Sequence, residues 1–204
     1  MVVRSSLHFG RDTRRDGFWL MIARVFQPMK RVAVIGTSSS GKTTIASQLA
    51  DQLSIPHTEL DVLHWLPDWQ MCPLEQFRSL VKEVVERDRW VIDGNYGKVR
   101  DILWPRATHL VWLNYPFQTV FSRALRRTFR RVATREELFA GNRENLRQAL
   151  FDPESIVWWV VRTYRRRRRE YPQLFQLPHN KHLEIIELKH PIDADRFLVG
   201  IRDG

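Results

Sequence analysis

One eight-residue string constrains this chain more than any other feature: Gly36-Thr37-Ser38-Ser39-Ser40-Gly41-Lys42-Thr43. It satisfies the spacing G-x-x-x-x-G-K-[ST] in full. It follows Val32-Ala33-Val34-Ile35, a short apolar run of the kind a strand shows when both its faces are buried. After it, Ile45, Leu49 and Leu53, with Ala46 and Ala50, recur at helical spacing. A strand, a small-residue loop and a helix in that order direct backbone N–H groups and a helix N-terminus at one point, which suits a phosphate. Gly41 lets the backbone approach closely. Lys42 is expected to reach the terminal phosphates of a nucleoside triphosphate, and the Thr43 hydroxyl to ligate Mg²⁺. Thr44 and Arg123 complete the donor-binding candidates.

The same alternation continues along the chain. A second strand is expected over His57 to Leu60, and a helix around Phe77, Leu80, Val81, Val84 and Val85. Trp90-Val91-Ile92 and Leu110-Val111-Trp112-Leu113 read as further strands, and Pro116 opens the helix after the second of these. A helix is expected from Pro153, with Asp152 as N-cap, to about Glu170, ending before Pro172. Leu183 to Leu188 is the fifth strand, and a closing helix spans Asp193 to Ile201. Strands separated by helices predict an α/β chain, a parallel sheet with helices on both faces.

Residues 1–28 read as an extension outside the domain at 29–204, and Met29 stands just before the first strand. Arg14-Arg15 ahead of Phe18 to Ala23 has the outline of a twin-arginine signal. The apolar run is short, Arg24 interrupts it and no small-residue cleavage site follows, so export is not expected. Runs such as Ile156 to Val161 reach only six residues, far below the ~20 of a membrane helix. Cys72 is the sole cysteine, which excludes an intrachain disulfide and a cysteine-based zinc cluster. A cytoplasmic location is the expectation.

A phosphate-binding loop of this kind needs a carboxylate near Mg²⁺, at the C-terminal end of a neighbouring strand. Asp93 and Asp61 both qualify, each at the end of an expected strand. Either also has a plain structural reading, a turn at Asp93-Gly94 and a helix cap at Asp61. On the acceptor side, Asn95, Tyr96, Lys98 and Arg100 follow Asp93, and His64, Trp65 and Trp69 follow Asp61. The tryptophans are as readily core residues as ligand contacts.

Charge is unevenly placed. The chain carries +10 overall, and residues 120–170 hold fourteen basic against six acidic residues. Arg123 and Arg127 are four apart and share a helix face, as do Arg143 and Arg147. Between them Thr134, Gly141 and Asn142 break the pattern, so a lid is expected at about 132–145. Arginines on a closing lid would stabilise a transferring phosphoryl group and exclude water. Arg127 and Arg143 are the candidates for that role, beside Lys42, Asp93 and Asp61. Arg165 to Arg169 point all around a helix and are expected to be a solvated run complementing its C-terminal dipole. Contact with nucleic acid is the other reading of these charges.

The loop, the string Trp90-Val91-Ile92-Asp93-Gly94-Asn95-Tyr96, the Arg-rich helix after Tyr115-Pro116, and Gly141-Asn142-Arg143-Glu144-Asn145 together resemble the adenylate-kinase-related P-loop proteins labelled topology modulation proteins. The resemblance covers roughly residues 30–201. It implies a three-layer P-loop kinase fold with a five-stranded parallel sheet in the order 2-3-1-4-5, and it implies ATP and Mg²⁺. Adenylate kinases carry Asp-Gly-Phe-Pro-Arg where this chain has Asp93-Gly94-Asn95-Tyr96-Gly97, so the arginine that holds the acceptor phosphate is missing. The expected function is transfer of the ATP γ-phosphoryl group to a small nucleotide or another polar metabolite. The alternative is a nucleotide-regulated DNA- or RNA-binding protein affecting DNA topology.

Overall fold

A computed structural model of the chain describes residues 29–134, 140 and 156–202. The extension at 1–28, most of the expected lid, Arg143 and the Asp152–Pro153 helix start lie outside the described residues.

β1 (Arg31–Gly36) is the centre of the sheet. Its side chains alternate between two faces, and both are covered: Val32 and Val34 enter one core layer, Ala33 and Ile35 the other. That is why the strand reads as an unbroken apolar run. Around it lie α1 (Lys42–Leu53), β2 (His57–Glu59), α2 (Leu60–His64), α3 (Leu74–Val85), β3 (Trp90–Asp93), α4 (Arg100–Leu103), β4 (His109–Leu113), α5 (Phe117–Thr134), α6 (Ile156–Phe175), β5 (Glu184–Leu188) and α7 (Pro191–Arg202). The strands are parallel throughout, in the order β2-β3-β1-β4-β5, which is the order the resemblance implies. No helix among the described residues is long and apolar enough to cross a membrane.

One core layer joins Ile45 and Leu49 of α1 and Phe197 and Leu198 of α7 to the sheet. The other joins Phe77 and Val81 of α3, Trp104 after α4, and Tyr171 of α6. Each fully buried side chain of this size contributes ~1.5–3 kcal/mol. The chain reverses direction across the sheet beside β1, with β3 on one side and β4 on the other. Open parallel sheets bind ligands at such a point, at the carboxyl ends of the strands.

Two expectations are corrected here. β2 is three residues long, so Asp61 does not end the strand; it lies in the first turn of α2. The long helix α6 does not stop before Pro172 but continues to Phe175. Proline there removes the hydrogen bond to the Arg168 carbonyl, a change of ~3 kcal/mol or more in a helix interior. The helix persists because Tyr171 is buried and Leu174 and Phe175, half-buried, pack against the core. The Tyr171 and Phe175 rings lie 5.8 and 5.4 Å from that of Trp112, and Phe175 lies 5.9 Å from Trp104.

Candidate active site

The loop after β1 is wound tightly. The Ser40 N–H donates to the Thr37 carbonyl at 3.0 Å, and Ser39 and Gly41 adopt φ of 65° and 97°. A Cβ at Gly36 would stand 2.8 Å from the Leu113 carbonyl oxygen, so only glycine passes β4 there. Thr37, Ser39 and Ser40 are buried and Ser38 is half-buried. Gly41 is the N-cap of α1 and supplies no side-chain cap, which leaves the first N–H groups of that helix for a ligand. Lys42 folds back so that Nζ lies 3.5 Å from the Thr37 carbonyl. Thr44 is exposed beside Thr43. Arg123 of α5 buttresses the loop: Nη1 donates to the Ser40 carbonyl at 2.7 Å, and the guanidinium sits 5.4 Å from the Tyr115 ring centroid.

Two registers bring the carboxylates in. Asp93 pairs with Val34 of β1 and with Glu59 of β2, so it ends a strand directly beside the loop. The Thr43 hydroxyl donates to Asp93 Oδ2 at 3.0 Å, and His57 Nε2 lies 2.8 Å from Oδ1. Asp93 is itself buried. Asp61 accepts a 2.5 Å bond from the Tyr96 hydroxyl. Burial lowers the Lys42 pKa to about 8, against the opposing pull of Asp61 and then Asp93. Arg167 and Arg127 add a smaller lowering. Burial, then Asp93, pushes the Glu59 carboxyl up from its ordinary value. Burial, then Asp61, does the same for the Tyr96 phenol.

The residues suit Mg²⁺. A threonine hydroxyl and a carboxylate stand within hydrogen-bonding distance at the mouth of the loop, and no cluster of three or more metal-binding side chains occurs among the described residues. Few protein ligands, with phosphate and water completing the shell, is the pattern Mg²⁺ takes in phosphoryl-transfer sites.

The acceptor side forms an aromatic wall. The His64 ring lies 4.5 Å from Tyr96, 5.0 Å from Phe77 and 5.0 Å from Trp65, and Trp65 meets Trp69 at 5.6 Å. Burial lowers the His64 pKa, so the neutral ring belongs to the wall. Asn95 acts as a latch: its side chain accepts from the Gly36 N–H at 3.1 Å, donates to the Gly36 carbonyl, and accepts from the Tyr171 hydroxyl at 3.2 Å. A water-sized cleft lies beside it, lined by Ile35, Leu60 and Leu103 together with Asn95, Tyr96, Arg100, Trp104 and Tyr171. Lys98 is not brought into this cleft; its side chain is exposed and its carbonyl accepts from Arg78.

The five-arginine run behaves differently from expectation. Arg165, Arg166, Arg168 and Arg169 are exposed, but Arg167 is only 8% exposed. Because α6 runs on past Pro172, these residues sit inside the helix rather than at its C-terminal end, and one of them must face inward. Sequence reasoning also missed His57. Its partner is two residues beyond Val91, its pair in the ladder, so only the β2–β3 register reveals the contact.

The loop, the strand order and the position of the carboxylates define a P-loop kinase fold. Among solved structures, a shikimate kinase from Acinetobacter baumannii in complex with shikimate matches with a TM-score of 0.52 and 14% identity, over 85% of this chain and 92% of that one. A gluconokinase from Sinorhizobium meliloti 1021 matches with a TM-score of 0.50 and 17% identity, again over 85% and 92%. At such identities the likeness is one of fold. The sequence matches no protein-family model and no curated relative.

Proposed function

We propose that this protein is an ATP-dependent kinase acting on a small polar metabolite. The observation that carries the reading is the Thr43–Asp93 bond at the mouth of a loop over which Lys42 is folded. In this reading the loop amides and Lys42 bind the donor phosphates, and Arg123 holds the loop in shape. Thr43 and Asp93 would hold Mg²⁺, which supplies charge neutralisation on the phosphates. Arg127, and Arg143 of the expected lid, neutralise the transferring phosphoryl group. Asp61, fixed by Tyr96, accepts the proton of an acceptor hydroxyl. The two kinases of similar fold support transfer to a small molecule. A cytoplasmic location and the kinship with topology modulation proteins belong to the same proposal. The five exposed arginines of α6 favour a second reading, contact with nucleic acid, whose mark would be affinity falling steeply with salt.

Lys42→Ala tests the first reading. It is expected to abolish tight MgATP binding in titration calorimetry while the circular dichroism spectrum stays native. A folded variant with near-normal MgATP affinity overturns the assignment.

A further inference from the structure

The two faces of α6 differ sharply. Val160, Thr163, Tyr164, Arg167 and Tyr171 are buried and hold the helix to the domain. On the opposite side Trp158, Arg162, Arg165 and Arg169 recur at intervals of four, three and four. That spacing puts them on one outward line, about three turns and ~16 Å long. All four are exposed, Trp158 at 48%, and Trp159 beside it is 41% exposed. Arg166 meets Glu170 at 3.7 Å and Arg168 meets the Tyr164 hydroxyl at 2.6 Å, whereas Arg162, Arg165 and Arg169 have no such partner among the described residues.

The charge of this face selects its occupant. Glu170 is the one acidic residue of α6, and α5, which packs beside it, has five arginines and no acidic residue. The outward line is thus a row of cations without the carboxylates of a solvated ion-pair network. A second copy of the chain would bring like charge against it. A helix lying in a lipid surface needs an apolar face along its length, and the exposed large apolar side chains of α6 stop at Val161. A single strand of nucleic acid fits both parts of the line. Its phosphates pair with guanidiniums, and its unpaired bases present flat faces to exposed indoles. A duplex keeps those faces stacked inside and would leave both tryptophans without a partner.

We propose that the outward line of α6 binds a single-stranded nucleic acid, with phosphates on Arg162, Arg165 and Arg169 and bases stacked on Trp158 and Trp159. This rests on the second reading above, to which it gives a surface and a ligand class, and it is independent of the donor loop. Phosphate pairing and stacking read no base edge, so binding tolerates sequence.

The test is fluorescence anisotropy of a labelled oligothymidylate strand of about 15 nucleotides, within the range of known single-strand site sizes, titrated with the full chain over a series of salt concentrations. The logarithm of affinity is expected to fall with the logarithm of salt at a slope of roughly −2, as three phosphate contacts require. Arg165→Gln should weaken binding and make the slope shallower by about 0.7. Trp158→Ala should weaken binding by about 5- to 100-fold and leave the slope unchanged. Arg87→Gln, which removes the same charge from an exposed site after α3, should change neither quantity. Scanning calorimetry shows that each variant is folded, as expected for exposed positions. Absence of strand binding at about 100 mM salt overturns the proposal together with the second reading. Strand binding that Arg165→Gln and Trp158→Ala leave intact, or that a duplex of equal length matches, overturns the surface and the ligand class while leaving nucleic-acid contact in place. Capture by phosphatidylserine vesicles without strand binding overturns the proposal in favour of a lipid surface.

Discussion

The Lys42 ammonium gives the sharpest quantitative prediction, because its environment changes sign on ligand binding. In the free protein burial holds its pKa at about 8, and Asp61 and Asp93 recover only part of the loss. Donor phosphates against Nζ favour the charged form and raise the pKa. If only the charged form binds tightly, affinity follows the protonated fraction of free Lys42. From a pKa of about 8 that fraction is roughly 0.9 at pH 7, 0.5 at pH 8 and 0.1 at pH 9. MgADP affinity should therefore fall about tenfold between pH 7 and pH 9. At pH 8 binding should take up about half a proton. Titration calorimetry in buffers of different ionisation enthalpy reads both quantities. Lys42→Ala controls for titration of the nucleotide and should show neither effect. An affinity independent of pH over this window, or the same slope in Lys42→Ala, refutes the reasoning.

His57→Ala removes the contact to Asp93 Oδ1 and leaves Oδ2 with Thr43 alone. It should weaken binding of MgADP by about tenfold while leaving Mg-free ADP unchanged, with partial rescue by His57→Gln; equal losses with and without Mg²⁺ would show that His57 merely stabilises the fold. Gly94→Ala places a Cβ 2.7 Å from the Leu60 Cβ at a φ of 144°. It should destabilise the protein by ~1–3 kcal/mol and lower Tm by roughly 2–4 °C per kcal/mol in scanning calorimetry, and an unchanged Tm would mean that α2 yields freely.

What the sequence determined by itself is local. The loop, the strand before it and the helix after it are contiguous, so spacing alone specified a phosphate site at Gly36 to Thr43. Strands buried on both faces announced themselves as apolar runs, which made the parallel sheet legible as well. What tertiary structure decided is everything that depends on register or on distant packing. Asp93 and Asp61 both stood as candidate carboxylates, Asp93 the favoured one, and the pairing of β3 with β1 put Asp93 beside Thr43, while Asp61 fell in a short helix under Tyr96. His57 acquired a partner only through the pairing of β2 with β3. The arginine run looked uniformly solvated because Pro172 signals a helix end, and a local rule cannot count aromatic contacts made far away in the chain, between Trp112 and Tyr171 or Trp104 and Phe175. Packing of buried Tyr171 and half-buried Phe175 against Trp104 and Trp112 carried α6 through the proline, and Arg167 shares the buried face of Val160, Thr163, Tyr164 and Tyr171. The free energy of packing, a property of the assembled core, outweighed the backbone preference of a single residue.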